Sequence, residues 1–309
     1  MKSKASLAIR IFLTISLLLG ASNALAGPFG EIVIFGDSLS DNGNYVLFDG
    51  QPVPDPELYW EGRFSNGPVW VEYLTDPDRF DTNLTDRALG GAQSDGLTPP
   101  GLIEQVRAYI LATGSPLSPT NLYMIWIGGN DYFNGDGDFQ EAVDNIEDAM
   151  SDLADNGAKF MLVLNLPDLG AIPHRIGSAL APEATEFSVN FNAALASMID
   201  TFSTDHPGIG IYEFDIDALF LEILADPAAL GFDNVTEPAP NFSVPNNFDG
   251  GGSLFWDDKH PTTRMHALIA DRVYAELNTQ LLPADMPDTP AQKNESSSSS
   301  CFIRAMAWE

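Results

Sequence analysis

Cysteine and histidine are both scarce in this sequence of 309 residues. The only cysteine is Cys301, so an intramolecular disulfide is excluded. Four histidines are present, at His174, His206, His260 and His266. Any histidine that acts as a base must therefore be one of these four.

Two common signatures of enzymes are also missing. No Gly-x-Ser-x-Gly pentapeptide occurs, which excludes the nucleophile elbow of the α/β-hydrolases. No glycine-rich loop ends in Lys-Ser or Lys-Thr, so the sequence does not support phosphoryl transfer.

Positively charged residues are also few. There are 14 Lys and Arg residues against 44 Asp and Glu, for a net charge of −30. Such a chain should repel nucleic acids and anionic membrane surfaces, so we expect no nucleic-acid partner. Charged residues make up only 19% and apolar residues 44% of the chain, which excludes a disordered acidic tail and allows a full hydrophobic core.

The first 26 residues resemble a secretory signal peptide. Basic residues come first, an apolar run over 11–21 follows, and an Ala-Leu-Ala tripeptide ends at Ala26. The apolar run is too short to cross a bilayer, so we expect cleavage after about Ala26, a secreted or cell-surface protein and no stable membrane span. An uncleaved membrane anchor is the alternative.

Residues 283–309 differ in composition from the rest. Prolines come first, and five consecutive serines precede Cys301. We interpret this segment as a flexible tail, with a surface-attachment signal as the alternative. Residues 27–282 are then one domain, and nothing in the sequence indicates an oligomeric state.

Apolar periodicity predicts alternating strands and helices in that domain. The segment 59–74 is interpreted as a turn and a helix. Strands are predicted at 31–35, 122–127, 160–164 and 209–214, and helices at 139–156, 182–202 and 262–277. The alternation favours a parallel sheet with helices on both faces, whose functional residues gather at the carboxyl edge.

Ser38 lies directly after the first predicted strand, in the string FGDSLSDNGN. A serine in a turn is usually only a turn former. Its place at the end of a strand would expose the hydroxyl at the functional edge of the sheet. Ser38 is therefore the candidate nucleophile.

A serine nucleophile needs a base, and His260 is the best candidate. Asp257 precedes it by three residues, a spacing at which one tight turn can bring both side chains together. His206 and His174 lack an aspartate at that spacing. His266 is expected on the surface of the last helix or at the edge of its packing.

Acyl transfer also needs hydrogen-bond donors for an oxyanion. Asn130 offers a side-chain amide at a strand end, and the turn around Gly90 and Gly91 offers backbone N–H groups. A plain tight turn is the alternative interpretation of the paired glycines. Asp37 and Asp131 are interpreted as supporting groups.

These pieces together resemble the GDSL or SGNH hydrolases. The four family blocks match, in order, at Ser38, Ala88 to Ala92, Gly128 to Asp131 and Asp257 to Pro261. Further stretches are similar to the bacterial phospholipase/lecithinase/haemolysin branch. The resemblance covers about residues 31–281. Asp86 and Arg87 depart from the family's usual Asn and aromatic residue, which puts in doubt how the second block is braced.

The resemblance implies a flavodoxin-like three-layer α/β/α sandwich with a central parallel sheet and a shallow, open active site. It also implies a carboxylic ester hydrolase, an esterase or lipase acting on lipid or small acyl esters, with Ser38 as nucleophile, His260 as base and Asp257 orienting the base. The oxyanion donors would be Ser38, Asn130 and Gly91, with Gly90 a near alternative. No cofactor or metal is implied.

Three other functions remain open at this point. The same fold hosts carbohydrate esterases that deacetylate polysaccharides, and fold does not fix the substrate. An open site could pass the acyl group to an alcohol other than water, as an acyltransferase does. A non-catalytic surface protein on this fold is disfavoured because the Ser, Asp and His set is complete.

Overall fold

The computed structural model describes residues 28–44, 47–48, 51–135 and 137–280. The predicted signal peptide and the predicted tail with Cys301 lie outside these residues. Within the described part of the chain, no helix combines the length and the apolar character that a membrane span requires.

A five-stranded sheet forms the centre of the domain. Its strands are β1 (Glu31–Gly36), β4 (Asn83–Asp86), β5 (Leu122–Trp126), β6 (Phe160–Leu164) and β7 (Gly210–Phe214). Every pairing is parallel, and the order is β4-β1-β5-β6-β7. Two short pairs lie outside it, β2 (Leu47–Phe48) with β3 (Gln51–Pro52) and β8 (Asn234–Pro238) with β9 (Ser253–Phe255).

The seven α-helices of the described residues are α1 (Trp70–Leu74), α2 (Leu102–Thr113), α3 (Gly129–Asn134), α4 (Phe139–Asp155), α5 (Ala181–Asp205), α6 (Ile216–Ala225) and α7 (Thr263–Gln280). A 3₁₀ helix covers Pro227–Leu230. Helix α4 shows why these segments are helical. Asp138 caps its first turn by accepting from two backbone N–H groups, apolar residues recur every three or four positions, and Gly157 follows with a φ of +107°.

The sheet separates two hydrophobic cores. Alternate residues of each strand point to opposite faces, so Ile32 and Ile34 pack with α1, α6 and α7, whereas Val33 and Phe35 pack with α2, α4 and α5. This is a three-layer α/β/α sandwich with a central parallel sheet, and the predicted fold class is confirmed.

Most predicted elements are confirmed, with small shifts at their ends. The helix expected within 59–74 is only the five residues of α1. The strands β2, β3, β4, β8 and β9 and the helices α2, α3 and α6 were not predicted. Strand β4 is four residues long and half-buried, so it lacks the apolar run that marks the inner strands.

The prediction for His266 was wrong. Its side chain is fully buried in α7 rather than on the surface. Neither ring nitrogen has a hydrogen-bond partner among the described residues. Burial, followed by the nearby charge of His260, lowers the pKa of His266 to about 3.

Candidate active site

The sheet register brings the sequence blocks to one edge. Gly36, the last residue of β1, pairs with Trp126 at the end of β5, and Ile34 pairs with Asp86 at the end of β4. The chain leaves all three strands at the same carboxyl edge. A side chain at Gly36 would meet the carbonyl oxygen of Trp126 at 2.3 Å, so this close approach requires glycine.

Ser38 sits in a tight turn that follows β1. The N–H groups of Ser40 and Asp41 both donate to the carbonyl oxygen of Asp37, at 3.1 Å each. The side chain of Asp37 accepts from the N–H of Leu39 at 2.9 Å. These bonds fix the turn, and Ser38, which is 7% exposed, lines a cavity.

His260 connects Ser38 with Asp257. Its Nε2 lies 2.8 Å from Ser38 Oγ, and its Nδ1 lies 2.6 Å from Asp257 Oδ2. Asp257 Oδ1 also accepts from the backbone N–H groups of Lys259 and His260, at 2.7 and 2.6 Å. The structure thus brings together the three side chains that the sequence selected, and their catalytic roles remain predictions.

The pKa shifts of Asp257 and His260 favour an ionised Asp257 beside a His260 that is more basic than usual. Burial by itself raises the pKa of Asp257, but the charge of His260 and the hydrogen bonds from His260 and Tyr59 outweigh it and lower that pKa to about 2. Burial lowers the pKa of His260, but the charge and hydrogen bond of Asp257 outweigh it and raise that pKa above its usual value.

Tyr59 is a member of the site that sequence reasoning missed. Its hydroxyl donates to Asp257 Oδ2 at 2.5 Å, and its ring packs on Phe64 and Phe242 at centroid distances of 5.9 and 5.5 Å. The contact joins residues 198 positions apart, and no sequence motif at either residue predicts it. The only available signal was the aromatic character of the segment that begins at Tyr59.

The backbone hydrogen bonds distinguish the two candidate oxyanion donors, Gly90 and Gly91. The N–H of Gly90 donates to Asp41 Oδ2 at 2.7 Å, so it is already engaged. Among the described residues, the N–H groups of Gly91 and Ser38 have no hydrogen-bond acceptor. Gly91 also has a φ of +79°, which favours glycine at this position. These observations favour Gly91 over Gly90 as an oxyanion donor.

Asn130 is the third candidate donor. Its side-chain nitrogen donates to the carbonyl oxygen of Ala92 at 3.0 Å and lies 3.4 Å from Asp37 Oδ2. The first bond anchors the amide against the glycine turn. The second contact is long, which leaves one amide hydrogen available for a stronger acceptor.

Carboxylates brace the second block, where the sequence departs from the family pattern. Asp86 accepts from the N–H of Ala88 at 2.8 Å and from the N–H of Asn42 at 3.0 Å, so it ties this turn to the Ser38 loop. Asp131 accepts from the N–H of Ser94 at 3.0 Å and ties the same turn to α3. Both aspartates thus support the turn.

Asp37 is buried beside the nucleophile, at 3% exposure. Burial raises its pKa to about 7, although the hydrogen bond from Leu39 and the charge of His260 work in the opposite direction. A carboxyl group that titrates near neutral pH therefore lies next to Ser38.

An apolar cavity continues inward from Ser38 and His260, between the sheet and the helices α6 and α7. Its inner wall includes Trp126, Leu166, Ile216, Leu254, Met265 and Ile269. The resemblance implied a shallow, open site, and the structure lines that site with apolar side chains. A hydrocarbon chain could enter this cavity with its carbonyl group at Ser38.

Comparisons with known proteins identify a matching family and several relatives. The profile of the family described as GDSL-like Lipase/Acylhydrolase matches residues 32–273. A phosphatidylcholine-sterol acyltransferase of Aeromonas hydrophila is 27% identical, over 82% of this chain and 91% of its own. A thermolabile hemolysin of Vibrio parahaemolyticus is also 27% identical, over 80% of this chain but only 64% of its own length. An acetylesterase of Thermothelomyces thermophilus is 27% identical over 78% and 86%.

Proposed function

The chain belongs to the GDSL-like lipase/acylhydrolase family and is a carboxylic ester hydrolase, and we propose that Ser38, His260 and Asp257 carry out its chemistry. The observation that carries this proposal is the continuous hydrogen-bonded line from Ser38 Oγ through both nitrogens of His260 to Asp257 Oδ2. A hydroxyl, a base and an orienting carboxylate in this arrangement are what nucleophilic acyl transfer requires.

The reaction proceeds in two halves. Ser38 Oγ attacks the ester carbonyl carbon while His260 Nε2 takes the hydroxyl proton, and the charge of Asp257 stabilises the imidazolium. The tetrahedral intermediate collapses, the bond to the alcohol oxygen breaks, and His260 returns its proton to that oxygen. Water then attacks the acyl-serine with His260 again as base, which releases the acid and restores Ser38.

Oxyanion stabilisation is assigned to three groups. The N–H groups of Ser38 and Gly91 have no acceptor among the described residues, and Asn130 lines the same cavity as Ser38. They are held before substrate arrives, so they need little reorganisation as negative charge develops on the carbonyl oxygen.

The apolar cavity supports an aliphatic acyl chain as the preferred acid half. Its inner wall carries hydrocarbon and aromatic side chains, whereas a sugar needs convergent polar groups. We therefore place lipid and simple acyl esters ahead of acetylated polysaccharides as substrates. The same acyl-serine could pass its acyl group to an alcohol, and the acyltransferase relative supports that second outcome.

We also propose that the protein is exported. The support is the arrangement of basic, apolar and small residues over 1–26. N-terminal sequencing of protein collected from the growth medium should begin near Gly27. A first residue at Met1 in exported protein would contradict cleavage.

The experiment for the catalytic proposal uses p-nitrophenyl acetate, butyrate and octanoate. We expect hydrolysis by the purified protein and its loss, by at least about 10³-fold in kcat, in Ser38→Ala. A Ser38→Ala variant that keeps its rate would contradict the assignment of the nucleophile.

The acyl cavity is tested on the same esters. Met265→Phe or Ile269→Phe should fill the cavity and lower the octanoate-to-acetate ratio of kcat/KM about tenfold. Leu111→Phe, on the exposed face of α2, is the matched control. An unchanged ratio in both cavity variants would exclude this location for the acyl chain.

A further inference from the structure

One aromatic ring contacts both the proposed base and the glycine turn. The ring centroid of Phe64 lies 5.1 Å from that of His260, and the two ring planes are tilted by 37°. Carbons Cε2 and Cζ of the same ring occupy the space that a methyl group on Gly90 would need. Gly90 does not have a left-handed φ, so contact with this ring, rather than backbone conformation, is what requires glycine there. Phe64 thus connects His260 with the turn that carries Gly91.

The two residues after Phe64 fasten it to the turn that carries the base. Ser65 Oγ, which is buried, donates to the carbonyl oxygen of Pro261 at 2.8 Å. Asn66 Oδ1 accepts from the N–H of Thr263, the first residue of α7, at 2.8 Å. The ring is therefore held against the turn of the base by two hydrogen bonds besides its own contact.

The residue before Phe64 anchors the same segment to α1. Nε and Nη2 of Arg63 both donate to the carboxylate of Glu72, at 3.2 and 2.5 Å, and this bidentate pair fixes the guanidinium. Nη1 of Arg63 donates to the carbonyl oxygen of Glu61 at 2.8 Å. Phe64 is therefore held on both sides along the chain, as a residue that positions another side chain must be.

The hydrogen bonds of His260 leave one motion of its ring weakly restrained. Nδ1 meets Asp257 and Nε2 meets Ser38, so both contacts are made at the two nitrogens. They fix the line through these atoms but oppose only weakly a tilt of the imidazole plane about that line. A ring packed against the imidazole opposes the tilt. Such support matters because a misplacement of about 1 Å can lower a rate about a hundredfold.

We propose that Phe64 is a positioning residue of the ester hydrolysis, which holds the imidazole of His260 at the tilt that proton transfer from Ser38 requires and fixes its place relative to the glycine turn. The inference deepens the proposed function and rests on it, because Phe64 acts only through His260 and that turn. Phe64 itself exchanges no proton. The turn is held by two contacts, the hydrogen bond from Gly90 to Asp41 and the packing of Phe64.

The first test is the rate with p-nitrophenyl acetate, whose acyl group is too short to report on the acyl cavity. Phe64→Leu stays apolar but removes the flat ring, so it should lower kcat about thirtyfold with KM changed less than about twofold. Phe64→Met, a second apolar side chain without a ring, should behave alike. A residue that only stabilised the fold would lower the thermal midpoint without this loss of kcat.

Phe29→Leu is the matched control. Phe29 is buried just before β1, at the opposite end of that strand from Ser38, and its ring packs on those of Phe80 and Phe160 at 5.5 and 5.8 Å. The variant loses ring contacts as Phe64→Leu does. It should therefore lower the thermal midpoint and leave kcat unchanged.

A second test uses the contact between Phe64 and Gly90. Gly90→Ala alone should lower kcat by at least about a hundredfold, because its methyl group displaces the ring. Phe64→Leu lacks the ring carbons that the methyl group would overlap, so the double variant should have a kcat close to that of Phe64→Leu alone. Losses that multiply in the double variant would overturn the inference. Gly208→Ala, whose methyl group would meet no atom within 4 Å, is the control.

The resting enzyme gives a readout that does not depend on turnover. The proton between His260 Nδ1 and Asp257 Oδ2 should give a low-field NMR signal in wild-type protein with isotope-labelled histidine. A less restrained imidazole in Phe64→Leu should speed exchange of this proton with water and broaden the signal, whereas Phe29→Leu should keep it. An equally sharp signal in Phe64→Leu would overturn the inference.

The outcomes separate this inference from the catalytic proposal. An inactive Ser38→Ala together with an unchanged kcat in folded Phe64→Leu would overturn the role of Phe64 alone. A fully active Ser38→Ala would overturn the catalytic proposal, and the role of Phe64 with it. Thermal unfolding checks that the compared variants are folded, and Phe64→Met takes the place of Phe64→Leu if the latter is not.

Discussion

Tyr59 donates its hydroxyl to the same carboxylate oxygen of Asp257 that meets His260 Nδ1. The two contacts, at 2.5 and 2.6 Å, converge on Oδ2. A second donor withdraws electron density from that oxygen and weakens its hold on the imidazolium. Tyr59 is thus a positioning residue that acts on the base through Asp257.

Replacement of Tyr59 by phenylalanine should move the pH profile of the enzyme. Without the hydroxyl, Asp257 stabilises protonated His260 more strongly, so the pKa of His260 rises further. Because the reaction needs neutral His260, the acid limb of kcat/KM against pH should shift upward by roughly half a unit, with kcat lowered a few-fold.

The control for Tyr59 is Tyr73→Phe. Tyr73 also loses a hydrogen bond, to Thr263 at 2.6 Å, but that bond joins α1 to α7 and involves no member of the proposed triad. This variant should cost stability without moving the acid limb. An identical pH profile in Tyr59→Phe and the wild type would remove Tyr59 from the site.

Asn130→Ala tests the third oxyanion donor. Loss of one such donor typically costs on the order of 10²–10³ in kcat, with little effect on substrate binding. Steady-state kinetics on p-nitrophenyl butyrate should show this split between kcat and KM. Asn156→Ala, at the end of α4, is the control, and a loss under threefold in Asn130→Ala would be inconsistent with the role.

Asp37→Asn should stabilise the protein at alkaline pH. The pKa of Asp37 is raised to about 7 from 3.8, so its contribution to stability is complete below 3.8 and is lost as the pH rises through 7. Asparagine removes the buried charge, so we expect a gain on the order of 2 kcal/mol at pH 8.5 and a smaller gain at pH 5. Thermal midpoints at the two pH values measure it, and equal gains would contradict the assignment.

His266→Leu should make the protein less sensitive to acid. Burial lowers the pKa of His266 to about 3, so its contribution is present above 6.5 and is lost as the pH falls toward 3. Between pH 7.5 and 5 the wild type should lose about 2 kcal/mol more unfolding free energy than the variant. Urea titrations measure this difference, His266→Phe serves as a second variant, and parallel pH dependences would disprove the effect.

Local sequence patterns predicted much of the fold because its inner strands consist almost entirely of apolar residues. Strands β1, β5 and β6 are continuous apolar runs, as expected for a parallel sheet covered on both faces. Edge strand β4 is half-buried and mixes polar with apolar residues, so its pattern does not stand out. The continuous apolar run that marks a strand comes from burial on both faces. Edge strand β4 is not buried on both faces, so it lacks this run.

The site was predictable where its partners are close in sequence or belong to a family block. Asp257 and His260 are three residues apart, and one turn joins them. The contacts of Tyr59 with Asp257 and of His174 with Asp258 join distant segments through the packing of loops. No periodicity encodes such contacts, which is why Tyr59 and the partner of His174 were missed.

The base lies 222 residues after the nucleophile in the chain. During synthesis Ser38 emerges early, whereas the turn that carries His260 and the helix α7 behind it emerge near the end of the described domain. With the proposed roles, a nascent or truncated chain would carry the nucleophile without its base. Hydrolysis would then begin only after the last helix has docked, so ester turnover would report completed folding.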